Sequence, residues 1–139
     1  MNRNSVFCLR AVCLAALLSV SCGKSAYQDG TYTGVSSPDD TGAYGEVTIT
    51  VSGGKISRCD FLTWQKNGGV KDENYGKVNG EISNADYYAK AQLAVRAMDQ
   101  YARDLVEKQA LNKIDAVSGA TIAYNQFTEA VSEALGKAK

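Results

Sequence analysis

Between Glu46 and Ile56 the chain alternates with a period of two. Val47, Ile49 and Val51 are apolar, Thr48 and Thr50 lie between them, and Gly53-Gly54 precede Ile56. This alternation predicts a strand with one buried face, and the Gly-Gly pair supplies the positive φ angles of a two-residue hairpin turn. A strict hairpin pairs Val51 with Ile56 and Ile49 with Arg58. The return strand instead carries apolar residues at Ile56, Cys59 and Phe61. That three-residue step predicts a β-bulge near Ser57–Arg58, with the strand running on to about Trp64. Upstream, "DGTYTGV" (29–35) reads as a turn entering another strand. "SSPDDTGAYG" (36–45) reads as a loop with the only proline, Pro38. Residues 65–83 are polar and glycine-rich, with Tyr75 as their one aromatic. A loop this long in a small domain is often functional.

From Ser83 the period changes to that of a helix. Ala91, Ala94, Val95, Met98, Tyr101, Ala102 and Leu105 form an apolar stripe at spacings of three and four. They predict a helix of about 25 residues ending near Gln109, opened by an approximate capping box of Ser83 and Asp86. "LNKI" (111–114) reads as a brief strand or extended link. A last helix is predicted from about Thr121 to Lys137, with Phe127, Ala130, Val131, Ala134 and Leu135 facing inward. Strands first and helices after them indicate an α+β fold, a small antiparallel sheet with a β-hairpin packed with two C-terminal helices.

The front of the chain stands apart from this pattern. Arg3 provides a positive start, and "AVCLAALLSV" (11–20) is an apolar run of signal-peptide length, too short to span a bilayer. "SVSC" (19–22) places the small Ser21 directly before Cys22, a pattern that resembles a bacterial lipoprotein signal with Cys22 as the lipidated residue. Its departure is Ser19, where a larger aliphatic residue is usual. The expected organisation is a signal over 1–22, a short tether over 23–28 and one domain over 29–139. A plain secretory peptide or a buried apolar helix is the alternative, and the mature protein is expected to be exported.

Composition narrows the chemistry. Of four cysteines, Cys8 and Cys13 fall in the signal and Cys22 takes the lipid, leaving Cys59 alone. The domain therefore has no internal disulfide and no cysteine-based metal or iron–sulfur site. The chain has no histidine, which excludes Ser–His and Cys–His nucleophiles and the usual zinc sites. Without Arg3 and Arg10, 13 basic residues face 15 acidic ones, a net of −2. Nucleic-acid binding, which requires a strongly basic face, is not indicated.

One short stretch remains: "DAVSGAT", Asp115 to Thr121, at the lip of the last helix. Ser118 or Thr121 as an ordinary N-cap is one reading. The other uses the same physics differently. A helix N-terminus offers free backbone amides and about half a positive charge, which together bind phosphate. Gly119 and Ala120 keep bulk away from that backbone, and Thr121 presents a hydroxyl beside it. A Walker A loop is excluded by the missing lysine and glycine spacing.

The string Asp115-x-x-Ser118-Gly119-Ala120-Thr121 resembles the flavinylation motif of the FMN-binding domain family. That family includes flavin-carrying subunits of sodium-pumping NADH:quinone oxidoreductase and of ferredoxin-oxidising complexes, together with exported bacterial lipoproteins. "DGTYTG" and "VTITVSGGKI" precede the motif in the family's order, so the resemblance covers about residues 29–138. It implies FMN as cofactor, attached through its phosphate to Thr121 by a separate flavin transferase. It also implies that Asp115, Ser118, Gly119 and Ala120 shape the site. Where many members carry a Thr-Ser pair two residues after the threonine, this chain has Ala123-Tyr124.

The flat isoalloxazine ring calls for an aromatic neighbour. Trp64, Tyr75 and Tyr124 are candidates, with Tyr75 preferred and Trp64 read as a core anchor. The expected function is electron carriage by a covalently held FMN on a lipid-anchored domain. The protein supplies position, and an unknown redox partner protein exchanges the electrons. The alternatives are a non-covalent FMN-binding or flavin-scavenging lipoprotein, and a structural surface lipoprotein without flavin.

Overall fold

Gly53 and Gly54 adopt φ angles of +60° and +71°, the left-handed pair that a tight hairpin turn demands. They join β2 (Tyr44–Ser52) to β3 (Lys55–Trp64). The turn is held from outside as well. Gly53 N and Gly54 N donate to the Asp29 carboxylate at 3.0 and 2.8 Å, and these two bonds hold the Asp29 carboxyl below its ordinary pKa. Val51 pairs with Ile56 and Thr50 with Arg58, so Ser57 is the extra residue of the expected bulge. β1 (Gly30–Val35) lies antiparallel on the other edge of β2, giving the sheet order β1-β2-β3.

The computed structural model describes residues 26–139. The expected signal and Cys22 lie outside the described residues. The fold already includes the end of the expected tether: Tyr27 packs against the core, and Gln28 N donates to Ala138 O at 2.7 Å.

α1 (Ala85–Lys108) begins one residue later than its expected cap. Asn84, extended at φ −139° and ψ 107°, accepts the Tyr87 amide at 2.9 Å. Asparagine and serine cap about equally well, and here Asn84 places its oxygen on the third helical amide, so Ser83 is left outside. α1 ends at Gln109 in the left-handed region, φ 58°. The Gln109 side chain accepts from Ile56 N at 2.9 Å and donates to Ile56 O at 2.8 Å. It thereby satisfies the backbone groups that sit beside the bulge. Residues Leu111–Lys113 form a short 3₁₀ turn, not a strand. Lys113 N donates to Ala110 O and Ile114 N to Leu111 O, so the turn closes on local bonds.

α2 (Thr121–Lys137) packs on β1 and β2, while α1 packs on β3 and on α2. Val47, Ile49 and Val51 face these helices. Phe127, Ala130, Val131 and Ala134 are fully buried against them, as are Tyr101 and Leu105 of α1. Phe127 links the aromatic groups of the core, with ring centroids 5.1 Å from Phe61 and 5.6 Å from Tyr101. Cys59 is half-buried against this core. Burial, with the nearby Asp60 charge adding to it, pushes its thiol up to about 12. A thiol protonated at neutral pH packs as a small hydrophobe and is a poor nucleophile.

Candidate functional site

The loop ahead of α2 is fixed by two tyrosine hydroxyls. Val117 N donates to Tyr101 Oη at 2.8 Å, and Tyr124 Oη donates to Ile114 O at 2.9 Å. Ala120 N then turns back onto Val117 O at 2.9 Å. Gly119 makes the turn possible at φ +84°, and a Cβ there would lie 2.9 Å from Leu93 Cδ2. The N-cap position of α2 is Ala120, with no side-chain cap. Neither Ser118 nor Thr121 caps the helix, so ordinary capping does not account for the motif. The first amides of a helix have no intrahelical partner. Those of Thr121, Ile122 and Ala123 therefore remain available beside the exposed Thr121 side chain.

In front of these amides lies a cleft of about 290 Å³. Gly119, Ala120, Thr121, Ile122 and Ala123 form one wall, Ala94 and Met98 of α1 another, and Thr63 of β3 lies with them. Lys71 and Tyr75 from the long loop complete the lining. Of the residues expected from sequence, Gly119, Ala120, Thr121 and Tyr75 thus share one cavity. Asp115 and Ser118 are exposed on the approach loop and do not line it. Trp64 and Tyr124 do not line it either. Tyr124 stacks edge-on against Tyr101 at 5.5 Å and belongs to the support of the loop.

The long loop reaches the cleft because α1 grips it. Gln92 Nε2 donates to Asp72 O at 3.0 Å and to Tyr75 O at 2.9 Å. Tyr88 Oη donates to Glu73 O at 3.0 Å. Gly76 lies against α1, where an added Cβ would meet Ala91 Cβ at 2.8 Å. The Tyr75 hydroxyl is pushed above its ordinary pKa by burial, with the neighbouring Tyr87 hydroxyl contributing; it is a neutral donor at physiological pH.

Lys71 is the site residue that sequence reasoning missed. Its amide donates to Thr63 O at 2.9 Å, continuing the edge of β3. Its ammonium sits 5.1 Å from the Tyr75 ring centroid, in cation–π range. Half-burial lowers its pKa, and the charge of Asp39 opposes that shift. Asp39 is itself held below the usual carboxylate range. Its slight burial acts the other way but is outweighed by bonds from the Thr41 hydroxyl and the Ala43 and Thr41 amides, with Lys71 adding to them. Lys71 and Tyr75 also border a second groove of about 320 Å³ with Thr41, Gln65, Lys66, Asn67 and Tyr87.

The cleft therefore offers backbone amides, one hydroxyl at a helix start, one cation, one aromatic ring and apolar walls. Among the described residues no three His, Cys, Asp or Glu side chains group to hold a metal. The arrangement can bind and orient an anionic aromatic molecule. Its precision depends on the loop anchor, so Tyr101→Phe should lower folding stability by about 1–2 kcal/mol, the cost of leaving the Val117 amide unpaired. A urea midpoint equal to that of wild type would show that the anchor carries no energy.

A solved structure resembles this fold, and a second shares sequence with the chain. A crystal structure of a Clostridium perfringens protein aligns with a TM-score of 0.64 and 26% identity, covering 81% of this chain and 88% of that one. A solution structure from Clostridium thermocellum shares 28% identity over 78% of this chain and 90% of that one, with a TM-score of 0.46. No curated protein matches the chain. The family model of the FMN-binding domain matches residues 42–136, more than half of the sequence, and the chain belongs to that family.

Proposed function

We propose that this FMN-binding protein holds its cofactor in the cleft at the start of α2, joined through the phosphate to Thr121 Oγ1, and acts as an electron carrier on the outer side of a bacterial membrane. The observation that carries the reading is the Thr121 hydroxyl, exposed on the cleft wall at a helix start that no side chain caps.

The residues present fit the cofactor. The free amides of α2 and the Lys71 ammonium complement a phosphate. Ala94, Met98, Ile122 and Ala123 offer apolar walls to the ring system, and Tyr75 offers an aromatic one. The cleft is near the low end of small-molecule sites, about 300 Å³, and the adjoining groove that shares Lys71 and Tyr75 lengthens it. When bound, FMN supplies the electron-transfer chemistry, while the protein supplies position and electrostatics.

Attachment requires a flavin transferase and FAD. The bond formed is Thr121 Oγ1 to the FMN phosphorus, and the bond broken is the pyrophosphate link of FAD. AMP leaves, and the hydroxyl proton passes to a base of the transferase. Asp115 and Ser118 are exposed beside the cleft, which supports their being read by such an enzyme. A lipid on Cys22, after cleavage of a signal over 1–22, would hold the domain at the membrane surface, where a separate redox protein meets it.

The test is intact mass and in-gel flavin fluorescence of protein co-produced with a flavin transferase. One FMN retained under denaturing conditions is the expected result. The mass of the bare polypeptide would overturn covalent attachment. Yellow protein that loses its colour on denaturation would point instead to a non-covalent FMN carrier.

A further inference from the structure

The lining of the cleft carries one formal charge among the described residues, that of Lys71; the rest is Thr, Tyr, Ala, Met, Gly and Ile. Lys71 takes part in none of the ion pairs formed among the described residues, and the start of α2 adds a second positive end to the same cavity. The charge of Asp39 offsets that of Lys71 in part, but no carboxylate lines the cleft itself, so an anion between Lys71 and the start of α2 is attracted by both. A second observation points the same way. Thr63 is 1% exposed, lines the cleft, and among the described residues its hydroxyl donates only to the Met98 sulfur, at 3.5 Å. A thioether is a weak acceptor, so the cleft contains a buried hydroxyl whose bonding capacity is largely unspent.

We propose that Lys71 is the specificity-determining cation of the cleft, selecting flavins that bear a phosphate over those that do not. The inference rests on the flavin reading above and adds to it a residue outside the motif. Lys71 is positioned before any ligand arrives. Its backbone continues β3 through Thr63 O, its ammonium lies 5.1 Å from the Tyr75 ring centroid, and both residues line the cleft. A cation fixed in this way recognises phosphate without paying to order a flexible side chain on binding. The unmodified protein should therefore distinguish FMN from riboflavin before any covalent bond is made.

The experiment uses protein produced without a flavin transferase, titrated separately with FMN and riboflavin by flavin fluorescence. Wild type should bind FMN about tenfold or more tighter than riboflavin, the scale of one hydrogen bond to a charged partner. Lys71→Met, of similar length and uncharged, should lose most of that preference and leave riboflavin affinity nearly unchanged. Lys71→Arg should restore it. Equal weakening toward both flavins in Lys71→Met, or an unchanged preference, would overturn the proposal, as would wild type binding the two alike. Wild type that binds neither free flavin yet carries covalent FMN when co-produced with the transferase would overturn this inference alone. Wild type that does neither would overturn the flavin site itself.

Discussion

Thr121→Val protein co-produced with a flavin transferase is expected to carry no flavin after denaturation, against one FMN per chain in wild type. The substitution is close to isosteric. It exchanges one β-branched side chain for another at the first residue of α2, on a solvent-exposed position. The Thr121 hydroxyl caps nothing, so its loss leaves no donor stranded and costs folding stability at most about 0.5 kcal/mol. What it removes is the only side-chain oxygen at the start of the helix that lines the cleft. Thr128, the next threonine of α2, cannot substitute, because it lies about two turns further along the helix and does not line the cleft; its hydroxyl donates to Asn125 O at 3.0 Å. Thr121→Ser keeps the oxygen and should retain attachment. Flavin fluorescence in the denatured Val variant at the wild-type level would place the link elsewhere and sink the assignment. Loss of flavin in both variants would show that the methyl group also matters to the transferase.

The parts of this fold legible in the sequence were those written in local patterns. The Gly-Gly turn and the shift from Ile56 to Cys59 predict both the hairpin and its bulge, because positive φ angles and a broken period of two are properties of adjacent residues. The bounds of α2 follow from Gly119 at one end and the apolar stripe through Leu135 at the other. The FMN-binding family could be read from the motif and from the two segments that precede it. Failures occurred where two local solutions have nearly equal energy, or where distant chain segments meet. Ser83 and Asn84 are both good caps, and backbone geometry chose between them. The three residues Leu111–Lys113 are too few for any period to appear. Lys71 lies in a segment with neither helical nor strand pattern, and only the grip of Gln92 on Asp72 and Tyr75 brings that segment to the cleft. A lysine in a polar loop reads as solvated; here a fold contact made some twenty residues away half-buries it.

Gly34 shows the same limit at the seam between sheet and helix, and it carries the largest stability change expected in this chain. Its backbone is ordinary extended strand, yet a Cβ added there would lie 2.0 Å from Ala130 O and 2.6 Å from Ala134 N. Those atoms are helix backbone, so no rotamer change can relieve the clash. α2 would have to move off β1, and it is held against the sheet by Phe127, Ala130, Val131 and Ala134, all fully buried. Lifting it opens space along a seam packed at the density of a crystal. Overpacking that side chains can absorb costs about 1–3 kcal/mol. A backbone contact should reach or exceed the upper figure, about 3 kcal/mol, after the small gain from replacing glycine in a strand. Gly68→Ala is the matched comparison. Gly68 has φ +83° and nothing within 4 Å of an added Cβ, so alanine there meets conformational strain alone, about 1–2 kcal/mol. Gly34→Ala should therefore have a clearly lower urea midpoint than Gly68→Ala, although its backbone angles suit alanine better. The reverse order would mean that α2 does not lie as close to β1 as the structure places it. Because Thr121 is the first residue of that helix, any shift of α2 also moves the hydroxyl proposed for attachment relative to Lys71 and Tyr75. Flavin loading of Gly34→Ala below the unfolding temperature should accordingly fall while that of Gly68→Ala holds, which ties the strand–helix seam to the chemistry at the helix start.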